Sequence, residues 1–131
     1  MQISRFNYFI FRLPIALSML GHGLVRLPKL AVFSQSMVDD LAKSWLIPQM
    51  LVRPFGYLIP FVEFITGVLL VFGFFTRQAL YAGILLMCVF IIANTSIEHF
   101  DVLVSQLVHA FYFGVLLLLQ PYVVGKETKK L

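Results

Sequence analysis

The residues that could do chemistry are one acid and several bases placed inside apolar stretches. Glu63 lies in the run EFITGVLLVFGFF, His22 and Arg26 belong to the run HGLVR that closes an earlier apolar stretch, and His109 lies in a third. Ionisable side chains are costly at membrane depth and are seldom placed there for packing alone. A carboxylate with imidazoles and a guanidinium can move protons and hold a polar head group. We therefore predict that Glu63 and His22 are catalytic residues.

The composition is that of a membrane protein. Of the 131 residues, 60% are hydrophobic and 12% are charged, and the mean hydropathy is +0.93; a soluble domain has about 25% charged residues. The net charge is +4, but the basic residues lie at the ends of apolar runs, where they act as topology signals and not as a nucleic-acid surface. The single cysteine, Cys88, excludes an internal disulfide and a CxxC motif.

Four apolar stretches, at about 7–27, 51–74, 78–97 and 102–124, each approach the ~20 residues that cross a bilayer. They predict an all-α integral membrane four-helix bundle that forms a single domain over residues 1–131. The segment between the first and second stretches is amphipathic and carries Phe33 and Trp45. We expect it to lie at the membrane interface as a short helix or a partly re-entrant cap.

The distribution of Lys and Arg predicts the orientation. One side of the membrane receives the N-terminus, the second loop and the C-terminal tail, with Arg5, Arg12, Arg77, Lys126, Lys129 and Lys130. The other side receives the first loop, with Arg26, Lys29, Lys43 and Arg53, and a third loop that has no Lys or Arg. The positive-inside rule then places both termini in the cytoplasm. The inverted topology is the alternative, because the bias is modest.

In this topology the remaining polar residues converge toward the outer leaflet, above Glu63 near the midplane. At 100° per residue, Arg12, Met19, His22 and Arg26 share one face of the first helix. The predicted ligand-binding residues of this outer pocket are Arg12, Arg26, Asn94, Glu98 and His109. For Glu98, an ordinary solvated loop position is the alternative. No metal site is predicted.

The acid near the midplane needs a cation to remain charged. We expect Arg12 to pair with Glu63, because Arg12 has no other acid nearby in the chain, and Arg26 to pair with Glu98 or a ligand. Gly56 and Gly67 share a face with Glu63, and they indicate either a close-approaching ligand or simple helix packing.

Two motifs give the chain a family resemblance. The segment FRLPIALSMLGHGLVRL, with Arg12, His22, Gly23 and Arg26, and the segment EFITGVLLVFGFFTRQA, with Glu63, resemble the paired motifs of the DoxX family. The resemblance implies a multi-pass protein of the bacterial inner membrane that is linked to quinone-coupled oxidation of sulfur compounds and to membrane redox complexes. Arg26 stands where lysine is commoner, which disfavours proton transfer at that position.

The residues are compatible with a quinone site. His22, Arg26 and His109 supply donors, Glu63 accepts a proton, and Phe61, Phe64, Phe111 and Phe113 are candidates for the walls. The sequence contains no Cys cluster, CxxCH or glycine-rich dinucleotide loop. We therefore predict a membrane subunit of a redox complex that binds a quinone or a similar small ligand and receives electrons from a protein partner or directly from the substrate.

Three alternatives remain. The first is a non-catalytic scaffold or accessory subunit that holds a partner protein or assembles as a homo-oligomer. A b-type haem held between His22 and His109 is disfavoured, although helix bundles permit such ligation. A small transporter is also disfavoured, because the sequence has no inverted repeat.

Overall fold

The computed structural model describes residues 1–124, which form five α-helices and a two-stranded ribbon. The helices are α1 (Arg5–Arg26), α2 (Leu30–Leu41), α3 (Gln49–Phe72), α4 (Thr76–Ser96) and α5 (Leu103–Leu119). Within this described part, four helical segments are long and apolar enough to cross a membrane: Arg5–Leu41, Gln49–Phe72, Thr76–Ser96 and Phe100–Tyr122. The predicted all-α four-helix membrane architecture is confirmed.

The segment between the first and second spans is a helix that continues α1 after a bend. A short 3₁₀ turn, Leu27–Lys29, joins α1 to α2 and contains Pro28; proline has no N–H to continue the α-helical ladder. Helix α2 packs along the first half of α3. Ser34 is fully buried there, and its hydroxyl donates to the Arg53 carbonyl oxygen at 2.8 Å. Gly56 permits this approach, since a Cβ there would lie 2.7 Å from Ser34 Cα.

Helices α1 and α3 pack antiparallel through two glycines. A Cβ on Gly23 would overlap the backbone of Phe64, and a Cβ on Gly67 would overlap the backbone of Leu20. Small residues let membrane helices approach to backbone contact. The glycines on the Glu63 face therefore serve helix packing, and they align residue 23 with residue 64 and residue 20 with residue 67.

Helix α3 turns into α4 at Gly73, which caps α3 in the left-handed region at φ 75° and donates its N–H to the Leu69 carbonyl oxygen at 2.8 Å. Helix α4 then packs against α5 where Gly83 faces the ring of the buried Phe113. Helix α5 is tied to α1 by Tyr8, whose hydroxyl donates to the Leu116 carbonyl oxygen at 2.9 Å.

The two ends of the described chain meet at one end of the bundle. Strand β1 (Ile3–Ser4) pairs in parallel with β2 (Val123–Val124). We call this the terminal end, and the opposite end, formed by residues 42–48 and 97–102, the loop end. The topology signals at Lys126, Lys129 and Lys130 lie outside the described residues.

The outer surface of the bundle is apolar. Leu17, Phe61, Leu85, Phe111 and Leu118 are all exposed on the helices, whereas Ile59, Leu70, Leu80, Phe113 and Leu116 fill the interior. Helices with apolar residues on both faces are typical of a bundle surrounded by lipid. The chain is therefore a multi-pass membrane protein in contact with the bilayer.

Candidate functional site

A cavity of about 510 Å³ lies in the loop-end half of the bundle. Helix α1 contributes Met19, His22 and Arg26, and Glu63 of α3 also lines it. Its other walls come from α2, α4 and α5. Residues that line it from these helices include Phe33, Met37, Asp40, Met87, Phe90, Asn94, Ser105, Gln106 and His109. The cavity thus brings together polar residues from the membrane-spanning helices, with His22 and Arg26 from α1, Glu63 from α3, Asn94 from α4, and Gln106 and His109 from α5.

The acid near the centre of the bundle is paired with Arg26. Arg26 Nη1 donates to Glu63 Oε1 at 2.6 Å, and the Glu63 side chain is almost completely buried while that of Arg26 is 28% exposed. The guanidinium also lies over the Phe33 ring, 4.5 Å from its centroid. The expected pairings of Arg12 with Glu63 and of Arg26 with Glu98 are therefore wrong.

Arg12 cannot reach Glu63 because of the register between α1 and α3. Since Gly23 lies beside Phe64 and Leu20 beside Gly67, Arg12 lies near the end of α3, where its Nη2 is 3.0 Å from the position of a Cβ on Gly73. Gly73 is ten residues beyond Glu63, which is about 15 Å along a helix.

The environment of Arg12 is aromatic and buried. The side chain is 8% exposed, and its guanidinium lies 5.5 Å from the Tyr8 ring centroid and 5.6 Å from that of Phe9. It also lies beside the C-terminal end of α3, where the helix dipole favours a cation. Arg12 does not line the loop-end cavity, so its predicted role as a ligand-binding residue of that cavity is wrong.

Glu98 is also outside the cavity. It follows α4 with a backbone φ of 57°, and it is exposed. Among residues 1–124 it makes no ion pair with Arg26, whose carboxylate partner is Glu63. The alternative interpretation, an ordinary loop position, fits Glu98, and its predicted place in the ligand site is wrong.

The two histidines meet across the cavity from α1 and α5. Their ring centroids are 6.2 Å apart, edge to face. His22 Nδ1 bonds the Ser18 carbonyl oxygen at 2.6 Å, and His109 Nδ1 bonds the Ser105 carbonyl oxygen at 2.7 Å. Because a carbonyl oxygen only accepts, each Nδ1 carries the proton. Ser18 Oγ lies 2.9 Å from His109 Nε2 and links the two helices.

Asn94 lines the cavity from α4, and its side-chain amide donates to the Phe90 carbonyl oxygen at 2.9 Å. Two exposed acids, Asp40 of α2 and Asp101 after α4, also line the cavity and were not identified from the sequence. Asp40 was missed because it lies in the amphipathic segment that we assigned to the membrane interface. Its charge within a short connecting helix was the only sequence feature that could have indicated a site residue.

The aromatic walls differ from those expected. Phe33 and Phe90 line the cavity. Phe61 and Phe111 are exposed on the outer surface, and Phe113 is buried against Gly83. None of these three lines the cavity. The prediction failed because helix periodicity alone does not show which face of a helix packs against which neighbour. Within residues 1–124, no group of three or more His, Cys, Asp or Glu side chains is arranged to hold a metal ion.

Comparison with known proteins places the chain in a family other than the one expected. Residues 5–106 match the family model described as methylamine utilisation protein MauE. No curated protein and no solved structure gave a match. The match covers 102 of the 131 residues, from α1 to the first turn of α5. It overturns the resemblance to the DoxX family, and the chain belongs to the MauE family of methylamine utilisation proteins.

Proposed function

We propose that this chain is a membrane accessory subunit of a redox system for amine utilisation, and that its loop-end cavity binds a small organic ligand with a polar head. The observation that carries the proposal is the cavity itself. It holds an ion pair between the buried Glu63 and the partly exposed Arg26, and two facing imidazoles, within a largely apolar bundle. Buried polar groups in a membrane are costly, and they are typical of a functional site.

The family supports the accessory role, because its name associates it with methylamine utilisation. The carboxylate and imidazole side chains of the cavity can exchange protons, the guanidinium donates hydrogen bonds, and none of these groups transfers electrons. In the proposed function, a partner protein therefore performs the electron transfer. We propose a bacterial inner membrane with both termini in the cytoplasm, in line with the distribution of Lys and Arg.

A quinone is one candidate ligand. Its carbonyl oxygens require donors, which Arg26 and a protonated His22 supply, and its ring requires apolar walls, which Phe33 and Phe90 supply. A volume of about 510 Å³ is within the ~300–1,000 Å³ of small-molecule sites.

The test is to purify the full chain in mild detergent and identify by mass spectrometry the small molecules that copurify. His22→Ala and His109→Ala should each reduce ligand retention, because each removes a polar group from the cavity wall. Thr95→Ala is the control, since Thr95 is an exposed polar residue near the end of α4 and does not line the cavity. Retention that is equal in all three variants and the unchanged protein would contradict a ligand site.

A purely structural scaffold is the second candidate, and the exposed face of α5 favours it. Val104, Leu107, Val108 and Phe111 are all more than half exposed, so this face is free to contact another protein within the membrane. If the chain is a scaffold, the two histidine variants should retain the same small molecules as the unchanged protein. They should instead change which proteins are recovered after crosslinking in the membrane.

A further inference from the structure

The buried acid of the cavity uses only one of its two oxygens. Glu63 Oε1 accepts from Arg26, but Oε2 is buried and has no hydrogen-bond partner within residues 1–124. A carboxylate oxygen that is removed from water without a donor loses its hydration without compensation. Glu63 is only 2% exposed and lines the cavity. The site therefore lacks a donor at this oxygen.

A second hydrogen-bond acceptor in the same cavity also lacks a donor. The side-chain oxygen of Gln106, on α5, is buried and also lacks a partner in the described part of the chain. Gln106 and Glu63 come from different helices but line the same cavity. Two unpaired acceptors at one cavity indicate a ligand that brings N–H or O–H donors.

The histidines add acceptors and not donors when their rings are neutral. Each Nδ1–H is directed to a backbone carbonyl oxygen, at 2.6 Å for His22 and 2.7 Å for His109. This leaves each Nε2 with a lone pair. The Nε2 of His109 is occupied by the Ser18 hydroxyl, whereas His22 Nε2 has no bond among residues 1–124.

The charge of the cavity favours a cation. Asp40, Glu63 and Asp101 line it, and within the described chain Arg26 is the only Lys or Arg that does so. Three carboxylates against one guanidinium leave an excess of two negative charges when the imidazoles are neutral. Asp40 and Asp101 are exposed, so they attract cations toward the opening of the cavity.

We infer that the ligand of this cavity is a protonated primary amine, whose ammonium group donates to Glu63 Oε2 and to the side-chain oxygen of Gln106. An ammonium group offers three donors and a positive charge, which match the two unpaired acceptors and the negative excess. The inference rests on the proposed function and specifies its ligand. The hydrocarbon part of the amine lies against Met19, Met87 and Phe90. Because the cavity is about 510 Å³, an amine with an aromatic or longer alkyl group fills it better than methylamine.

The experiment compares four probes on the full chain in lipid nanodiscs by calorimetry: benzylamine, benzyl alcohol, benzoate and methylamine. The first three have the same ring and differ in the charge of the head. Benzylamine should bind at least about tenfold more tightly than benzyl alcohol or benzoate, because only its head group brings a positive charge, together with hydrogen-bond donors, to the carboxylate. Methylamine should bind more weakly than benzylamine, because it buries less apolar surface. Equal affinities for the three benzyl probes would overturn the inference.

Two variants locate the binding site. Glu63→Gln should weaken benzylamine binding by about tenfold and weaken benzyl alcohol binding much less, because it removes the negative charge and keeps the shape and one acceptor oxygen. Glu98→Gln is the matched control, an acid at the same end of the bundle but outside the cavity. If Glu63→Gln does not fold, Gln106→Met provides the test, since it removes the second acceptor and keeps the ion pair. Benzylamine binding that is unchanged in the folded variants would overturn the inference.

A short-chain quinone analogue separates this inference from the proposed function. If the quinone analogue binds and loses affinity in His22→Ala, while benzylamine binds no better than benzyl alcohol, the cavity is a ligand site and the amine inference is wrong. If neither the quinone analogue nor any amine binds, both the inference and the proposed ligand-binding function are wrong.

Discussion

At the scale of single residues, the Arg26–Glu63 pair is the main electrostatic contact within the bundle. Its oxygen–nitrogen distance is 2.6 Å, and the carboxylate is nearly fully buried. Removing one member of a buried ion pair typically costs ~3–5 kcal/mol, because the other charge is left without a partner. The cost to each member differs here, since the partly exposed Arg26 can extend toward the membrane surface and Glu63 cannot.

The first prediction is a double-mutant cycle on this pair. Arg26→Leu alone should lower the free energy of unfolding by about 3 kcal/mol and Glu63→Leu alone by less, and the double variant should recover much of the larger loss. Arg26→Leu should have the larger effect, because it strands the buried acid. The measurement is denaturant unfolding in detergent. Losses that add in the double variant would show that the two side chains do not interact.

The second prediction concerns Arg12. Combining Arg12→Leu with Glu63→Leu should give losses that add, because the register of α1 and α3 separates the two side chains by about 15 Å, well beyond the ~7–10 Å over which effects couple. The same unfolding assay measures this. A loss in the double variant that is clearly smaller than the combined single losses would contradict the register.

At the scale of helices, glycine contacts determine how α1 packs on α3. The third prediction is that Gly23→Ala and Gly67→Ala each destabilise the bundle by about 1–3 kcal/mol, because the added methyl group meets backbone atoms that cannot move aside easily. The measurement is the shift of the thermal midpoint in detergent.

Two other glycines provide controls for this prediction. A Cβ on Gly21 or on Gly114 has no atom within 4 Å. Gly21→Ala and Gly114→Ala should therefore cause no loss, and alanine is the better helix former. Equal destabilisation by all four substitutions would show that glycine acts through the helix backbone and not through the α1–α3 contact.

At the scale of the whole molecule, the ribbon of β1 and β2 brings both described ends of the chain to the terminal end. The cavity lies at the opposite end, the loop end.

The fourth prediction is that, in intact cells, a cysteine at His99 reacts with an impermeant thiol reagent and one at Gln2 does not. Both positions are exposed, and the variants are made in a Cys88→Ser background because Cys88 is also exposed. The opposite labelling pattern would indicate the inverted topology, with the cavity toward the cytoplasm. Ser44 is unsuitable for labelling because it is buried and bonded to Ser96.

Much of the fold follows from the sequence alone. The apolar stretches indicated the number and approximate positions of the spans, because a bilayer requires a minimum length of apolar residues. The predicted end of the first stretch, at about residue 27, agrees with the end of α1 at Arg26, because Pro28 cannot continue the backbone ladder. Ionisable groups are costly at membrane depth, and on this ground the sequence indicated Glu63, His22, Arg26 and His109 as site residues. All four line the cavity.

Only the tertiary structure determined which of these groups meet. Two arginines share a face of α1, and helix periodicity cannot distinguish them as partners for Glu63. The choice depends on the axial register of α1 against α3, and that register is set by Gly23 and Gly67, which allow backbone contact at one alignment. A contact between helices also explains why Asp40 was not predicted. Helix α2 packs on α3 through Ser34 and Gly56, and this packing places Asp40 at the cavity. Local sequence determines the helices, whereas contacts between residues distant in sequence determine the site.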